Sequence, residues 1–124
     1  MTYQYRVMAA SAQGFIFRGQ HFQNKKDLAE AILGEVAYYK ELSKSQITSP
    51  SRKGIFVICR RVISYILHEK VGMSYERIGQ VLGDRDHATT RNACVFLKDR
   101  LDFMDQFPVD KDLLEYLNSK LQIQ

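Results

Sequence analysis

Ile78-Gly79-Gln80-Val81-Leu82-Gly83-Asp84-Arg85-Asp86-His87-Ala88-Thr89-Thr90-Arg91-Asn92-Ala93 is the stretch whose reading decides the fold. It reads as the end of one short helix, a tight turn, and the opening of another helix. Ser74 precedes the apolar run, so its hydroxyl can accept a free backbone N–H one turn in. Glu76 falls in the first turn, where the helix dipole favours an anion. Ile78, Val81 and Leu82 recur at helical spacing and form one apolar stripe. Gly83 follows that stripe, where glycine takes a left-handed C-cap at the least cost. Asp86 is a preferred N-cap for the second helix. Thr90, Ala93, Leu97, Leu101 and Met104 then line an inner face at spacings of three or four. The Thr90 hydroxyl needs a partner there, and a carbonyl one turn back would serve. Gly79 and Ala93 are small and let two helices approach closely.

This layout, one bracing helix, one turn, and one helix with polar residues at its tip, is that of a helix-turn-helix. Two caps and an apolar stripe also fit a helical hairpin that binds nothing. The residues at the tip favour the first reading, because Arg, Asp, His and Thr stand where such a helix touches a groove.

The same residues resemble the C-terminal DNA-binding domain of the bacterial replication initiator DnaA. That family carries Ile-Gly, two or three residues, Gly-x-Arg-Asp-His-Thr-Thr-Val, and an Ala three residues on. Here the pattern is Ile78-Gly79, Gly83-Asp84-Arg85-Asp86-His87-Ala88-Thr89-Thr90 and Ala93. Upstream, Ser51-Arg52-Lys53 followed by Ile55, Val57, Arg60 and Val62-Ile63 is similar to the family's basic loop and long helix. Tyr65-Ile66-Leu67 continues that helix, and Val36-Ala37-Tyr38-Tyr39 resembles the domain's first helix. The likeness runs from about Leu33 to Met104.

The resemblance implies sequence-specific binding to double-stranded DNA. A recognition helix enters the major groove, and an arginine of the basic loop enters the adjacent minor groove. Carried over by position, Arg85, Asp86, His87, Ala88 and Thr89 face base edges or nearby phosphates. Arg52, Lys53 and Arg60 hold the backbone or minor groove, and Ser74, Arg91 and Asn92 complete the expected contact set. The chemistry agrees: Arg pairs with guanine O6 and N7, Asp accepts from cytosine N4, and a Thr or Ala methyl packs on thymine. Four departures point to altered or weaker specificity. Ala88 replaces the first of two threonines, Thr90 replaces an apolar residue, Glu76 stands where proline is common, and Asp84 adds a negative charge beside the turn.

The family joins this module to an ATPase domain, yet the chain has no Gly-x-x-x-x-Gly-Lys-Ser/Thr loop. Its 124 residues leave no room for an NTPase. The expectation is a stand-alone DNA-binding module, or a subunit whose partner supplies that activity. It would be a replication, plasmid-partition or transcription accessory from a bacterium or one of its mobile elements, needing no cofactor or nucleotide. Catalysis is not expected. Asp86 and His87 are adjacent on a helix and point about 100° apart, with no candidate nucleophile nearby. His21, His68 and His87 are far apart and lack metal-ligand spacing.

Charge is distributed unevenly. Lys40 to Tyr65 holds six basic residues (Lys40, Lys44, Arg52, Lys53, Arg60, Arg61) against Glu41 alone. From Leu101 onward five acidic residues face two lysines. A basic segment beside a reading helix suits phosphate; without that neighbour it is an ordinary solvated loop. An acidic end should turn from DNA or face a basic partner. No apolar run approaches a membrane span, and the start lacks a signal-peptide layout, so a cytoplasmic location with reduced Cys59 and Cys94 is expected.

The expected fold class is mainly α. Residues 1–23 form an N-terminal extension, and residues 24–124 a helical DNA-binding domain with its helix-turn-helix at 74–103. Asn24 caps a helix over about Lys25 to Leu42. Ser43 to Gly54 reads as the polar basic loop, and Ile55 to Lys70 as a central apolar helix closed by Val71-Gly72. A last helix after Phe107-Pro108 carries Leu113, Leu114, Leu117 and Leu121. Tyr3, Tyr5 and Val7, then Phe15 and Phe17, alternate with polar residues around Gly14, which suits a short β-hairpin. Its role as a dimerisation element, a groove-binding arm or a cover for the core stays open. A competing class is a protein-interaction module on a degenerate helix-turn-helix. There, the extension and acidic end would dock a protein partner or a second copy.

Overall fold

The structure, a computed structural model, describes residues 14–123. Its elements are β1 (Phe15–Phe17), β2 (Gln20–Phe22), α1 (Lys25–Lys40), α2 (Lys44–Ile47), α3 (Gly54–Tyr65), α4 (Tyr75–Val81), α5 (His87–Lys98), α6 (Pro108–Lys120) and β3 (Leu121–Ile123). A wider turn over Ile66–Lys70 extends α3, and a 3-10 segment over Leu101–Gln106 precedes α6. The described residues are mainly α, with one small antiparallel sheet ordered β2-β1-β3. No helix among the described residues is long and apolar enough to cross a membrane.

Helix α3 is central: past Gly54 none of its residues is exposed. Cys59, Val62 and Ile63, then Ile66 and Leu67, are sealed from solvent, and each large side chain so buried contributes about 1.5–3 kcal/mol. α3 packs against α1, α2, α5 and α6. In the wider turn the Val71 N–H reaches back to the Ile66 carbonyl, and Gly72 at φ +79° closes the helix. His68 is half-buried, with Nδ1 2.9 Å from the Met73 carbonyl oxygen.

Local signals hold where a cap decides the boundary. The Asn24 side chain accepts from the Lys26 and Asp27 N–H groups and opens α1. Ser74 accepts from Arg77 N–H and opens α4, and Asp86 accepts from Ala88 and Thr89 N–H and opens α5. The Thr90 hydroxyl donates to the Asp86 carbonyl at 3.2 Å, the back-bond its buried position requires.

Four expectations need correction. The hairpin turns at Arg18-Gly19, both at positive φ, rather than at Gly14; Tyr3, Tyr5 and Val7 lie outside the described residues. Leu121 is not on the last helix but opens β3, which pairs with β1 in the register Phe17↔Leu121. The polar loop contains a helical turn, α2, opened by a capping box between Ser43 and Gln46. The helix opened by Asp86 stops at Lys98, so Leu101 is exposed rather than on the inner face, while Met104 is buried from the 3-10 segment. Phe103 at φ −125°, ψ 25° breaks the helical path there.

The sheet is tied to the helices by one buried carboxylate. Glu35 of α1 accepts from Arg18 Nη1 at 2.8 Å and from the Tyr116 hydroxyl of α6. The Arg18 N–H also donates to the Lys120 carbonyl at 2.9 Å, which offsets its left-handed φ of 54°.

Candidate nucleic-acid interface

Helices α4 and α5 meet around a turn with no space for extra atoms. A Cβ on Gly79 would stand 2.1 Å from the Arg85 carbonyl oxygen. Gly83 has φ +93°, and a Cβ there would stand 2.2 Å from the Thr48 carbonyl oxygen. Gly83 is therefore needed for its backbone conformation and for contact with the loop after α2. Asp84 follows, also left-handed at φ 59°.

At the N-terminus of α5, His87, Ala88 and Thr89 are exposed, as are Arg91 and Asn92 one turn on. His87 and Arg91, and likewise Ala88 and Asn92, share a face at a spacing of four. Asp86 is exposed beside them. The Thr89 and Ala88 N–H groups hold its carboxyl below the usual carboxylate range. These bonds fall on Oδ1, which leaves the second oxygen able to accept from another donor. Ser74 is exposed, with its hydroxyl engaged as the α4 cap at 3.2 Å from Arg77 N.

Across from this tip lies the loop between α2 and α3. Arg52 and Lys53 are exposed, and neither pairs with a carboxylate among the described residues. The Lys53 N–H donates to Ser51 Oγ at 3.2 Å, and its ammonium lies 5.5 Å from the Phe56 ring centroid. A groove of about 780 Å³ separates the two elements, with Pro50 and Arg52 on one side, Thr89 and Asn92 on the other, and Val57 and Phe96 among its lining.

Three basic residues are not free. Arg60, only 8% exposed, donates to the carbonyls of Ile47 (3.0 Å), Ser49 (3.1 Å) and Ser51 (2.7 Å). Arg85, expected to face a base edge or phosphate, turns its guanidinium onto the carbonyls of Thr48 (3.2 Å), Ser49 and Leu82. Burial lowers both guanidinium pKa values, and the charge of Arg85 lowers that of Arg60 further. Arg61 makes a two-pronged pair with buried Asp110 at 2.6 and 2.9 Å and lies over the Phe96 ring. An acidic residue of the C-terminal segment thus finds its basic partner within the chain. The exposed cations left in the basic segment are Lys44, Arg52 and Lys53, with Lys40 half-buried.

The residues that sequence reasoning missed act through their backbone. Thr48 and Ser49 supply the carbonyls that receive Arg85, and no side-chain pattern announces this. The Ser43-x-x-Gln46 capping box was the available signal for the helical turn that aims them.

Residues 29–95, more than half of the chain, match the family described as "Bacterial dnaA protein helix-turn-helix". Three relatives share the name chromosomal replication initiator protein DnaA. That of Bifidobacterium animalis subsp. lactis is 33% identical over 70 residues, covering 56% of this chain and 12% of the relative. That of Bacteroides thetaiotaomicron is 29% identical over 109 residues, covering 88% and 23%. That of Bacteroides fragilis is 28% identical over 112 residues, covering 90% and 24%. The chain thus spans less than a quarter of the length of these relatives. No solved structure matches it. Its helices α1 to α5, capped at Ser74 and Asp86 and turned at Gly83, place the chain in the bacterial DnaA helix-turn-helix family, a family of DNA-binding domains.

Proposed function

We propose that the chain reads sequence in double-stranded DNA, with the tip of α5 in the major groove and the loop at Arg52-Lys53 on the adjacent backbone or minor groove. The observation that carries this reading is the single groove bordered by Arg52 on one side and by Thr89 and Asn92 on the other. A helix tip and a basic loop so separated can contact one duplex together.

In this reading His87, Ala88, Thr89, Arg91 and Asn92 supply the base and phosphate contacts of α5. Asn can pair with adenine N6 and N7, and the Ala88 and Thr89 methyls can pack on thymine. The free oxygen of Asp86 can accept from cytosine N4. Arg52 and Lys53 supply sequence-independent attraction that weakens with salt. Arg60 serves the loop and not the duplex. The chain contributes DNA contact rather than ATP chemistry, as an accessory to replication initiation or transcription.

Selection from a pool of randomised duplexes tests this proposal. Enrichment of a short motif, lost on Asn92→Ala, supports it. Recovery of DNA without any enriched motif leaves only phosphate attraction. Failure to recover DNA at low salt makes the chain a protein-interaction module instead.

A further inference from the structure

We propose that Arg85 acts on DNA through the basic loop rather than on a base: together with Arg60 it clamps the Thr48–Ser51 segment against the Gly83 turn, and so fixes where Arg52 and Lys53 stand relative to α5. The functional half of this inference rests on the DNA reading above, whereas the clamp itself stands on the free protein.

Three observations converge on the clamp. Both terminal nitrogens of Arg85 are occupied, Nη1 by the Thr48 and Leu82 carbonyls and Nη2 by the Ser49 carbonyl. Bidentate pairing with guanine uses two such donors side by side, so reading a base would take this donor from the Thr48 and Leu82 carbonyls and leave the Ser49 carbonyl to Arg60 alone. Next, Arg60 reaches the same segment from α3 through Ile47, Ser49 and Ser51. The Ile47 carbonyl, last in α2, has no helical partner of its own and receives Arg60, while the Thr48, Ser49 and Ser51 carbonyls just beyond it receive the two guanidiniums. Finally, the turn touches the loop directly, since a Cβ on Gly83 would stand 2.2 Å from the Thr48 oxygen. Arg85 spans that contact.

The consequence is a fixed distance across the groove. Two contact elements held at the correct separation bind as one, because engaging the first presents the second at high effective concentration. A loosened loop keeps its charges but loses that advantage on every sequence alike. Arg85 is thus a positioning residue.

The test uses the full chain and Arg85→Gln. Native-state trypsin cleavage after Arg52 and Lys53 should run several-fold faster in the variant, with helix content retained. Arg85→Lys, whose single ammonium reaches fewer carbonyls, should be intermediate and covers the case in which Arg85→Gln does not fold. In DNA binding, the losses from Arg85→Gln and Lys53→Ala should be less than additive and equal on preferred and random duplexes. Unchanged cleavage, or an additive loss confined to one base pair, would overturn the proposal. If the unaltered chain binds no duplex, the DNA reading fails, and the cleavage rates still decide the clamp.

Discussion

Arg60 of α3 and Arg85 of the turn donate to the same acceptor, the carbonyl oxygen of Ser49. Two like charges converge there without a carboxylate from the described residues pairing either. The arrangement persists because backbone carbonyls of the loop satisfy both guanidiniums.

Truncating Arg60 should therefore destabilise the chain far more than truncating its neighbours in the basic segment. Arg60→Ala leaves the Ile47 and Ser51 carbonyls without their donor and the Ser49 carbonyl to Arg85 alone, at a cost of about 3 kcal/mol. Arg52→Ala, at an exposed site, should stay within about 0.5 kcal/mol of the parent. Urea unfolding with unchanged m-values would check both, and similar midpoints for the two variants would remove the clamp from the stability account.

The turn glycines should be intolerant for two different reasons. Gly79→Ala drives a methyl toward the Arg85 carbonyl and should cost about 2 kcal/mol or more. Gly83→Ala adds a left-handed φ of +93° to a clash with Thr48. Gly54, first in α3 with no atom within 4 Å of a built Cβ, is the control. Gly54→Ala should be neutral or stabilising by about 0.5 kcal/mol. Thermal melts of all three would rank them, and a stable Gly83→Ala would contradict the packing of turn on loop.

The Asp86 cap carries a pH dependence of known sign. Its folded pKa is depressed, so its stabilising charge is present above the ordinary carboxylate range and is lost as the pH falls through and below that range. Asp86→Asn keeps a side-chain acceptor without the charge. The stability gap between parent and variant should therefore narrow on acidification, and a gap that widens instead would show that the charge is not engaged at the cap.

At the opposite extreme, the bond to Glu35 pushes the Tyr116 phenol up to about 12. A raised folded pKa stabilises the protein below the ordinary phenol value near 10, and that contribution is lost as the pH rises toward about 12. Tyr116→Phe should lower stability at neutral pH and flatten its alkaline decline. Alkaline unfolding curves that superimpose after this change would place the Tyr116 hydroxyl outside the Glu35 network.

Much of the helix-turn-helix was legible because its signals are local. Ser74, Gly83 and Asp86 announce their caps within one turn of chain, and Asn24 does the same for α1. What escaped is non-local. Phe17 pairs with Leu121 across nearly the whole chain, and no composition of three residues marks a strand that forms only against a distant partner. Leu101 kept the helical spacing, but α5 stops at Lys98 and the 3-10 segment that follows buries Met104 and leaves Leu101 exposed. Of the proposed site, the exposed α5 tip followed from spacing. The carbonyl partners of Arg60 and Arg85 did not, because a sequence shows where donors stand and every residue carries an acceptor.

The most direct measurement is fluorescence anisotropy of the full chain on two duplexes of equal length across a salt series, one carrying the motif recovered by selection and one scrambled. Sequence reading by α5 predicts binding to the motif tighter by about a thousandfold or more at physiological salt. It also predicts a salt slope that falls by about one unit on Lys53→Ala. Equal affinity for both duplexes at every salt concentration would contradict it.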